Sequence, residues 1–187
     1  EYQQAQADIS HGLKLEPANA HLLTANGSLL AELGDADGAH RSFSEALAAD
    51  PAFVPAWTNR AVLAYTTGRP ADAVADLTEA IALQDDPVLR MNRAIALQDL
   101  GEHQRALVDL DIAVTELGQD EPELLYRRGV SRLNLGDTEG ARTDWTTHLD
   151  AYASDSPSPF ADDIDRTVSL DPRFDAAPAM LPAATSS

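Results

Sequence analysis

The sequence contains no cysteine, which excludes a disulfide framework and any zinc, redox or nucleophilic chemistry built on thiols. Its single lysine is Lys14, so twelve arginines supply nearly all the positive charge, and seven of them lie between Arg90 and Arg142. Acidic residues outnumber basic ones by 31 to 13, giving a formal charge of −18; sums of −9 over residues 1–86, −5 over 87–150 and −4 over 151–187 leave no basic segment. Such a chain repels polyanions, which argues against nucleic acid, and its field favours cationic or mixed apolar and cationic ligands. No stretch approaches the roughly 18 consecutive apolar residues of a membrane span, and the start, Glu1-Tyr2-Gln3-Gln4, lacks the basic and apolar blocks of a signal peptide. A cytoplasmic chain without a membrane partner is therefore expected. Chemical signatures are missing as well. There is no Gly-x-Ser-x-Gly, no phosphate-binding Gly-x-x-x-x-Gly-Lys and no His-Glu-x-x-His. His11, His21, His40, His103 and His148 are scattered without metal-ligand spacing, and the Asp85 and Asp86 pair falls at a predicted loop. No catalytic residue, metal or cofactor is expected.

What the chain does have is repetition. Gly34, Gly68, Gly101 and Gly136 stand 34, 33 and 35 residues apart, and an alanine follows each by five: Ala39, Ala73, Ala106, Ala141. A period in this range marks a solenoid whose units stack because none can bury its apolar face alone. The glycines also align the units on one another. Seven residues before each comes a small residue, Gly27, Ala61, Ala94 or Gly129, as a close helix crossing requires. Nine after it comes a bulky apolar one, Phe43, Leu77, Leu110 or Trp145, and twelve after it Ala46, Ala80, Ala113 and, in the last unit, His148. These offsets lie on one stripe of a helix. Each glycine reads as the left-handed turn between two helices, followed by a helix start marked by Asp35, Pro70, Glu102 or Asp137. Each unit is a helical hairpin.

The ends depart from the pattern. Ala5, Ile9, Gly12 and Pro17 are in register with the second half of a unit, so residues 1–17 read as one helix of a truncated hairpin with an exposed apolar face. Together with a start at Glu1 rather than methionine, this suggests a segment cut from a longer chain. After the Ser/Pro-rich break at Ser154–Pro159, Phe160, Ile164 and Val168 recur at helical spacing opposite Asp162, Asp163 and Asp165, which predicts a capping helix over 160–171. Residues 173–187, rich in Ala, Pro and Ser, read as a flexible tail.

A second pair of columns varies together. Eight before the glycine stand Asn26, Arg60, Arg93 and Arg128; eight after it stand Ser42, Asp76, Asp109 and Asp144. Wherever the first is Arg the second is Asp. We expect ion pairs across the hairpins, Arg60 with Asp76, Arg93 with Asp109 and Arg128 with Asp144, the alternative being arginines aimed at a ligand carboxylate.

The columns resemble the tetratricopeptide repeat, whose 34-residue motif sets an aromatic or Leu, a small residue, Gly, Ala, an aromatic, Ala and Pro at fixed intervals. Residues 20–53 carry Leu23, Gly27, Leu30, Gly34, Ala39, Phe43, Ala46 and Pro51, and residues 54–86 carry Trp57, Ala61, Gly68, Ala73, Leu77 and Ala80. Units at 87–121 and 122–153 keep the small, Gly and Ala columns but have Arg90 at the usual aromatic place, Arg132 at a usually buried one, and His148. The resemblance implies an all-α, right-handed superhelix whose first helices line a concave groove. Carried over, the groove residues are Thr58, Val62 and Tyr65, then Met91, Ile95 and Gln98, then Tyr126, Val130 and Leu133. The stripe is apolar for a solvent-facing surface and suits an apolar or aromatic peptide anchor. It would serve equally as inter-repeat core, or as a surface covered by the chain's own tail or cap helix. A clamp of Lys, Asn and Arg for acidic C-terminal tails, known in one subgroup, is disfavoured, because Thr24, Ser28, Thr58 and Val62 hold its places.

The expected function is non-catalytic binding of a protein or peptide in that groove. Two alternatives stand beside it: a regulatory or substrate-recruiting segment of a larger enzyme or signalling protein, and self-association through residues 1–17.

Overall fold

The computed structural model describes residues 2–117, 122–152 and 158–174. The tail over 175–187 and most of the Ser/Pro-rich break therefore lie outside the described residues. The chain divides into two compact units, Glu1–Leu100 and Gly101–Ser187. The first holds α1 (Tyr2–Leu15), α2 (Ala20–Glu32), α3 (Ala36–Ala49), α4 (Val54–Thr66), α5 (Pro70–Leu83) and α6 (Pro87–Asp99). The second holds α7 (His103–Leu117), α8 (Pro122–Asn134), α9 (Thr138–Asp150), α10 (Ala161–Leu170) and a closing 3-10 turn, Pro172–Phe174. No strand occurs among the described residues, and no described helix is long and apolar enough to cross a membrane.

The glycine ruler has a direct backbone cause. Gly34, Gly68, Gly101 and Gly136 are the positive-φ residues of the described chain, at 84°, 75°, 73° and 89°. At Gly34 the amide donates to Ala31 O (3.0 Å) and the next amide, Asp35, reaches back to Leu30 O (2.9 Å), the paired bonds that close a helix on a left-handed residue. A side chain there would meet no neighbour; the backbone conformation alone demands glycine, at a cost to other residues of about 1 kcal/mol or more. The next helix starts at once, with the Asp35 carboxylate accepting from Gly38 N (2.9 Å), a bond repeated by Asp137 and Gly140 N.

The small and large columns meet inside the α2/α3 and α8/α9 hairpins. A Cβ at Gly27 would lie 2.5 Å from the Phe43 ring, and one at Gly129 would run into the Trp145 indole. Ala39, Ala46, Ala73, Ala80, Ala106, Ala113 and Ala141 are wholly buried. Second helices also pack forward. Ala46 and Leu47 of α3 lie against Ala56 and Trp57, and Leu13 of α1 joins the cluster of Ala20 and Leu23 in the same register.

In the second unit α9 departs from the alanine rule, and the departure builds a seat. His148, fully buried where other units have alanine, places Nδ1 2.6 Å from Pro122 O and Nε2 2.5 Å from Ser158 Oγ. A carbonyl only accepts, so Nδ1 carries the proton and Nε2 accepts from the Ser158 hydroxyl. Burial pulls the His148 pKa down, opposed by the Pro122 carbonyl and Glu123. Ile164 of α10 is wholly buried in one cluster with Leu133, Ala141 and Trp145. The structure corrects the tail boundary. Arg173 and Phe174, read as tail, form the closing turn, and Phe174 is buried with its ring 5.9 Å from that of Trp145. An aromatic just past a helix end has a large apolar area to bury, and the indole accommodates it. Arg173 Nη1 donates to Leu133 O (2.7 Å) and Arg142 Nη2 to Phe174 O (3.3 Å), fixing the turn.

Candidate peptide-binding surface

The coupled columns are hydrogen-bonded inside two hairpins in the same way. Arg60 of α4 grips Asp76 of α5 in a fork, Nε to Oδ2 at 2.8 Å and Nη2 to Oδ1 at 2.7 Å, with Nη1 on Ser44 Oγ (3.0 Å) and the guanidinium 5.0 Å over the Trp57 ring. Arg128 of α8 grips Asp144 of α9 likewise, at 3.0 and 2.7 Å, and Arg132 adds a third bond to the same carboxylate at 2.8 Å. Asn26 and Ser42 make the neutral counterpart at 2.7 Å. The hydrogen bond from Arg60 to Asp76 outweighs burial and raises the arginine's pKa. At Arg128 burial pulls downward, but Asp144 and Asp111 outweigh it and the net shift is upward. These guanidinium groups are engaged by carboxylates of their own chain. Arg93 lies in the first unit, where Nη1 donates to Thr78 Oγ1 (3.2 Å), and Asp109 is buried in the second.

The first-helix stripe differs between units. In the first unit Val62 is 49% exposed and Tyr65 37% exposed. They border a cavity of about 180 Å³ whose floor is Ala61, Ala73 and Leu77 and whose far wall is Asn92 and Ile95 of α6. A second cavity, of about 280 Å³, lies on the other side of Val62, between Ser28 and Glu32 of α2 and Asn59 and Thr66 of α4, with Phe43 beneath. Val62 thus separates two consecutive apolar-floored hollows. Thr58, Met91 and Gln98 line neither. Thr58 spends its hydroxyl on Val54 O (3.1 Å). Asn59 and Asn92, at the rims, were not among the sequence-derived site residues, although they share one column of the repeat alignment, and Asn59 Nδ2 reaches Ser28 Oγ (3.2 Å).

In the second unit the corresponding residues lie beneath the cap. Tyr126 is 8% exposed, its ring stacked on Phe160 with centroids 4.1 Å apart and planes 8° from parallel, and its hydroxyl donates to Asp163 Oδ2. Burial and then that carboxylate push the Tyr126 pKa up. Val130 and Leu133 belong to the cluster with Ile164 and Val168. Among the described residues no group of three or more His, Asp or Glu is placed to hold a metal ion.

The profile of the tetratricopeptide repeat matches residues 24–87 and 91–156, more than half of the chain. The chain belongs to the tetratricopeptide-repeat family. No curated protein sequence matches it. Among solved structures, YrrB, titled a TPR protein with an unusual peptide-binding site, is 22% identical with a TM-score of 0.71, over 81% of this chain and 78% of that one. MamA 41-end from Desulfovibrio magneticus RS-1 is 18% identical with a TM-score of 0.72, over 80% and 85%. PilW, a type IV pilus biogenesis factor, is 22% identical with a TM-score of 0.65, over 82% and 73%. At these identities the likeness is one of fold: all-α helical hairpins of the tetratricopeptide solenoid class. The departures from the repeat motif have local causes. Arg90, at the aromatic place, forks onto Asp85 with two 2.6 Å bonds and lowers that carboxyl's pKa. Arg132, at a usually buried place, is the third bond on Asp144. His148 ties α9 to the start of α8 and to Ser158 beside the cap.

Proposed function

We propose that this tetratricopeptide-repeat chain is a non-catalytic binding module whose first unit takes an extended peptide across α2, α4 and α6. The observation that carries this reading is the pair of consecutive hollows flanking the exposed Val62, each floored by apolar side chains of a second helix. A preformed surface of this kind spends little conformational entropy on binding and offers two modest pockets to alternate side chains of one segment. The ligand is an aliphatic or aromatic anchor flanked by Lys or Arg, since the chain carries −9 over residues 1–86 and Glu32 sits on one rim. The unusual peptide-binding site of YrrB, a protein of the same fold, supports the class of activity. Thr58, Met91 and Gln98 flank the path, while Tyr126, Val130 and Leu133 serve as the seat of α10.

Selection from a random peptide library on the intact chain tests this. Enriched peptides should share an apolar anchor beside basic residues, and Val62→Glu should weaken them at least about tenfold, or about 1.4 kcal/mol. Val108→Glu, equally exposed on α7, should leave them unchanged. Peptides that bind Val62→Glu as tightly as the parent chain would refute the surface.

A further inference from the structure

The two hollows beside Val62 are alike in their apolar floors and unlike at their rims. No charged residue lines the α4/α6 hollow, whose polar groups are those of Tyr65 and Asn92. Its volume of about 180 Å³ suits one side chain of leucine or phenylalanine size, since a cavity of about 150 Å³ takes benzene. The α2/α4 hollow, about 280 Å³, is lined by the apolar Ala31, Phe43 and Leu63 together with Glu32, Asn59 and Thr66. Two of those polar groups spend their donors within the chain. Asn59 Nδ2 is on Ser28 Oγ (3.2 Å) and Thr66 Oγ1 on Val62 O (2.9 Å). Glu32, exposed at the last residue of α2, enters no ion pair among the described residues. What this hollow holds out to a ligand is therefore acceptors, the Glu32 carboxylate and the Asn59 carbonyl oxygen, around an apolar floor.

That combination discriminates among side chains. An aliphatic one would cover the floor but strip water from a carboxylate without pairing it, and an acidic one would be repelled. Lysine or arginine satisfies both parts, with its stem on the apolar lining and its charged head at the rim. We propose that the two hollows read different residues of one peptide: an uncharged aliphatic or phenyl side chain in the α4/α6 hollow, and a lysine or arginine in the α2/α4 hollow, with Glu32 as the specificity-determining residue. This rests on the first unit being a peptide surface. It differs from a general preference of an acidic chain for basic ligands, and the repeat supplies the control. Asp99 of α6 stands in the same column as Glu32, two before its glycine, is exposed, and lines neither hollow.

The test is selection from one random peptide library, run in parallel on the intact chain and on its Glu32→Lys, Asp99→Lys, Ile95→Ala and Val62→Glu variants. Lysine suits the C-terminal end of a helix, so Glu32→Lys keeps the fold, as circular dichroism would verify. The parent chain should enrich peptides with an apolar position and a basic position at fixed spacing. Glu32→Lys should keep the apolar position and turn the basic one acidic; Asp99→Lys should change neither. Ile95→Ala, which widens the far wall of the α4/α6 hollow, should shift the apolar position toward tyrosine and tryptophan and leave the basic one alone. In an enriched peptide, Lys→Glu should weaken binding to the parent chain at least about fivefold, and Glu32→Lys should restore it. Enriched peptides that Val62→Glu abolishes but Glu32→Lys leaves unchanged would overturn the assignment of Glu32 while sparing the surface. The same change of consensus with Asp99→Lys would overturn it too, by tracing the basic preference to the overall field. Loss of the basic position with Ile95→Ala would reverse the hollows. No enrichment, or enrichment indifferent to Val62→Glu, would remove the peptide surface and this assignment together.

Discussion

The α4/α5 and α8/α9 hairpins are the same design carried to different ends. Both fork an arginine of the first helix onto an aspartate of the second, and both bury a small and a large column residue, Ala61 and Leu77 at the floor of a hollow and Gly129 against Trp145. In the first, the stripe on α4 meets α6 and leaves Val62 and Tyr65 bordering open hollows. In the second, the stripe on α8 is sealed by α10 and Phe174. The difference arises in the second helices. α5 offers Leu77 and Ala80, which are buried with Leu77 flooring a hollow between α4 and α6. α9 offers Trp145 and His148, whose larger apolar and polar demands are met by a helix, a serine and a closing turn together. Identical repeat columns therefore do not specify whether a first-helix face is a ligand surface or a seat; the element that follows does.

Three measurements would break or sharpen that contrast. The largest effect is expected at the bulky column. Trp145→Ala removes the wall shared by Gly129, Ile164 and Phe174 and should cost about 4 kcal/mol, against about 3 for Leu77→Ala, by urea denaturation. Equal losses would mean that the cap adds nothing to the α8/α9 core. Next come the forks. Asp144→Ala removes the buried carboxylate shared by two arginines where Asp76→Ala removes that of one, and the side chains are 2% and 11% exposed. Losses of roughly 3 to 4 kcal/mol and about 2 kcal/mol are expected. A larger loss at Asp76 would reverse the order of the two hairpins.

The smallest effect is a pH dependence confined to the second hairpin. Burial holds the folded His148 pKa below its ordinary value. The unfolded chain thus takes up the proton first as pH falls, and stability declines from about pH 6.5 downward, where an unfolded histidine begins to charge. Amide protection factors, exchange rates divided into the intrinsic rate at each pH, should fall in α9 and α10 between pH 7.5 and 5.5, those in α4 and α5 should not, and His148→Gln should remove the difference. A uniform fall in protection would place the sensitivity elsewhere.

Much of this was legible in the sequence because it repeats. The glycine spacing marked four left-handed turns, and the coupled Asn/Ser and Arg/Asp columns named the partners found in α2/α3, α4/α5 and α8/α9. Periodic features have internal copies, so one sequence supplies its own alignment. Features that occur once have none. Phe174 read as tail because nothing in a Pro-rich stretch announces that an aromatic 29 positions from Trp145 will stack on it. The third bond on Asp144 looked like a departure at Arg132, since a single column cannot show that two residues of one helix converge on a carboxylate of the next. Asn59 and Asn92 were present as a column, but only the position of the hollows gave the column a meaning.

Sequence by itself determined the hairpin turns, the small and large contacts of α2/α3 and α8/α9 and the ion pairs of α4/α5 and α8/α9, which follow from local periodicity and from the backbone freedom of glycine. It determined the absence of thiol chemistry and the acidic field. Tertiary structure alone decided which apolar stripes remain open. Whether Val62 faces a hollow or Tyr126 lies under Phe160 depends on what packs beside each helix. Apolar burial is non-directional, so the same stripe is satisfied by a neighbouring repeat, a cap or another polypeptide.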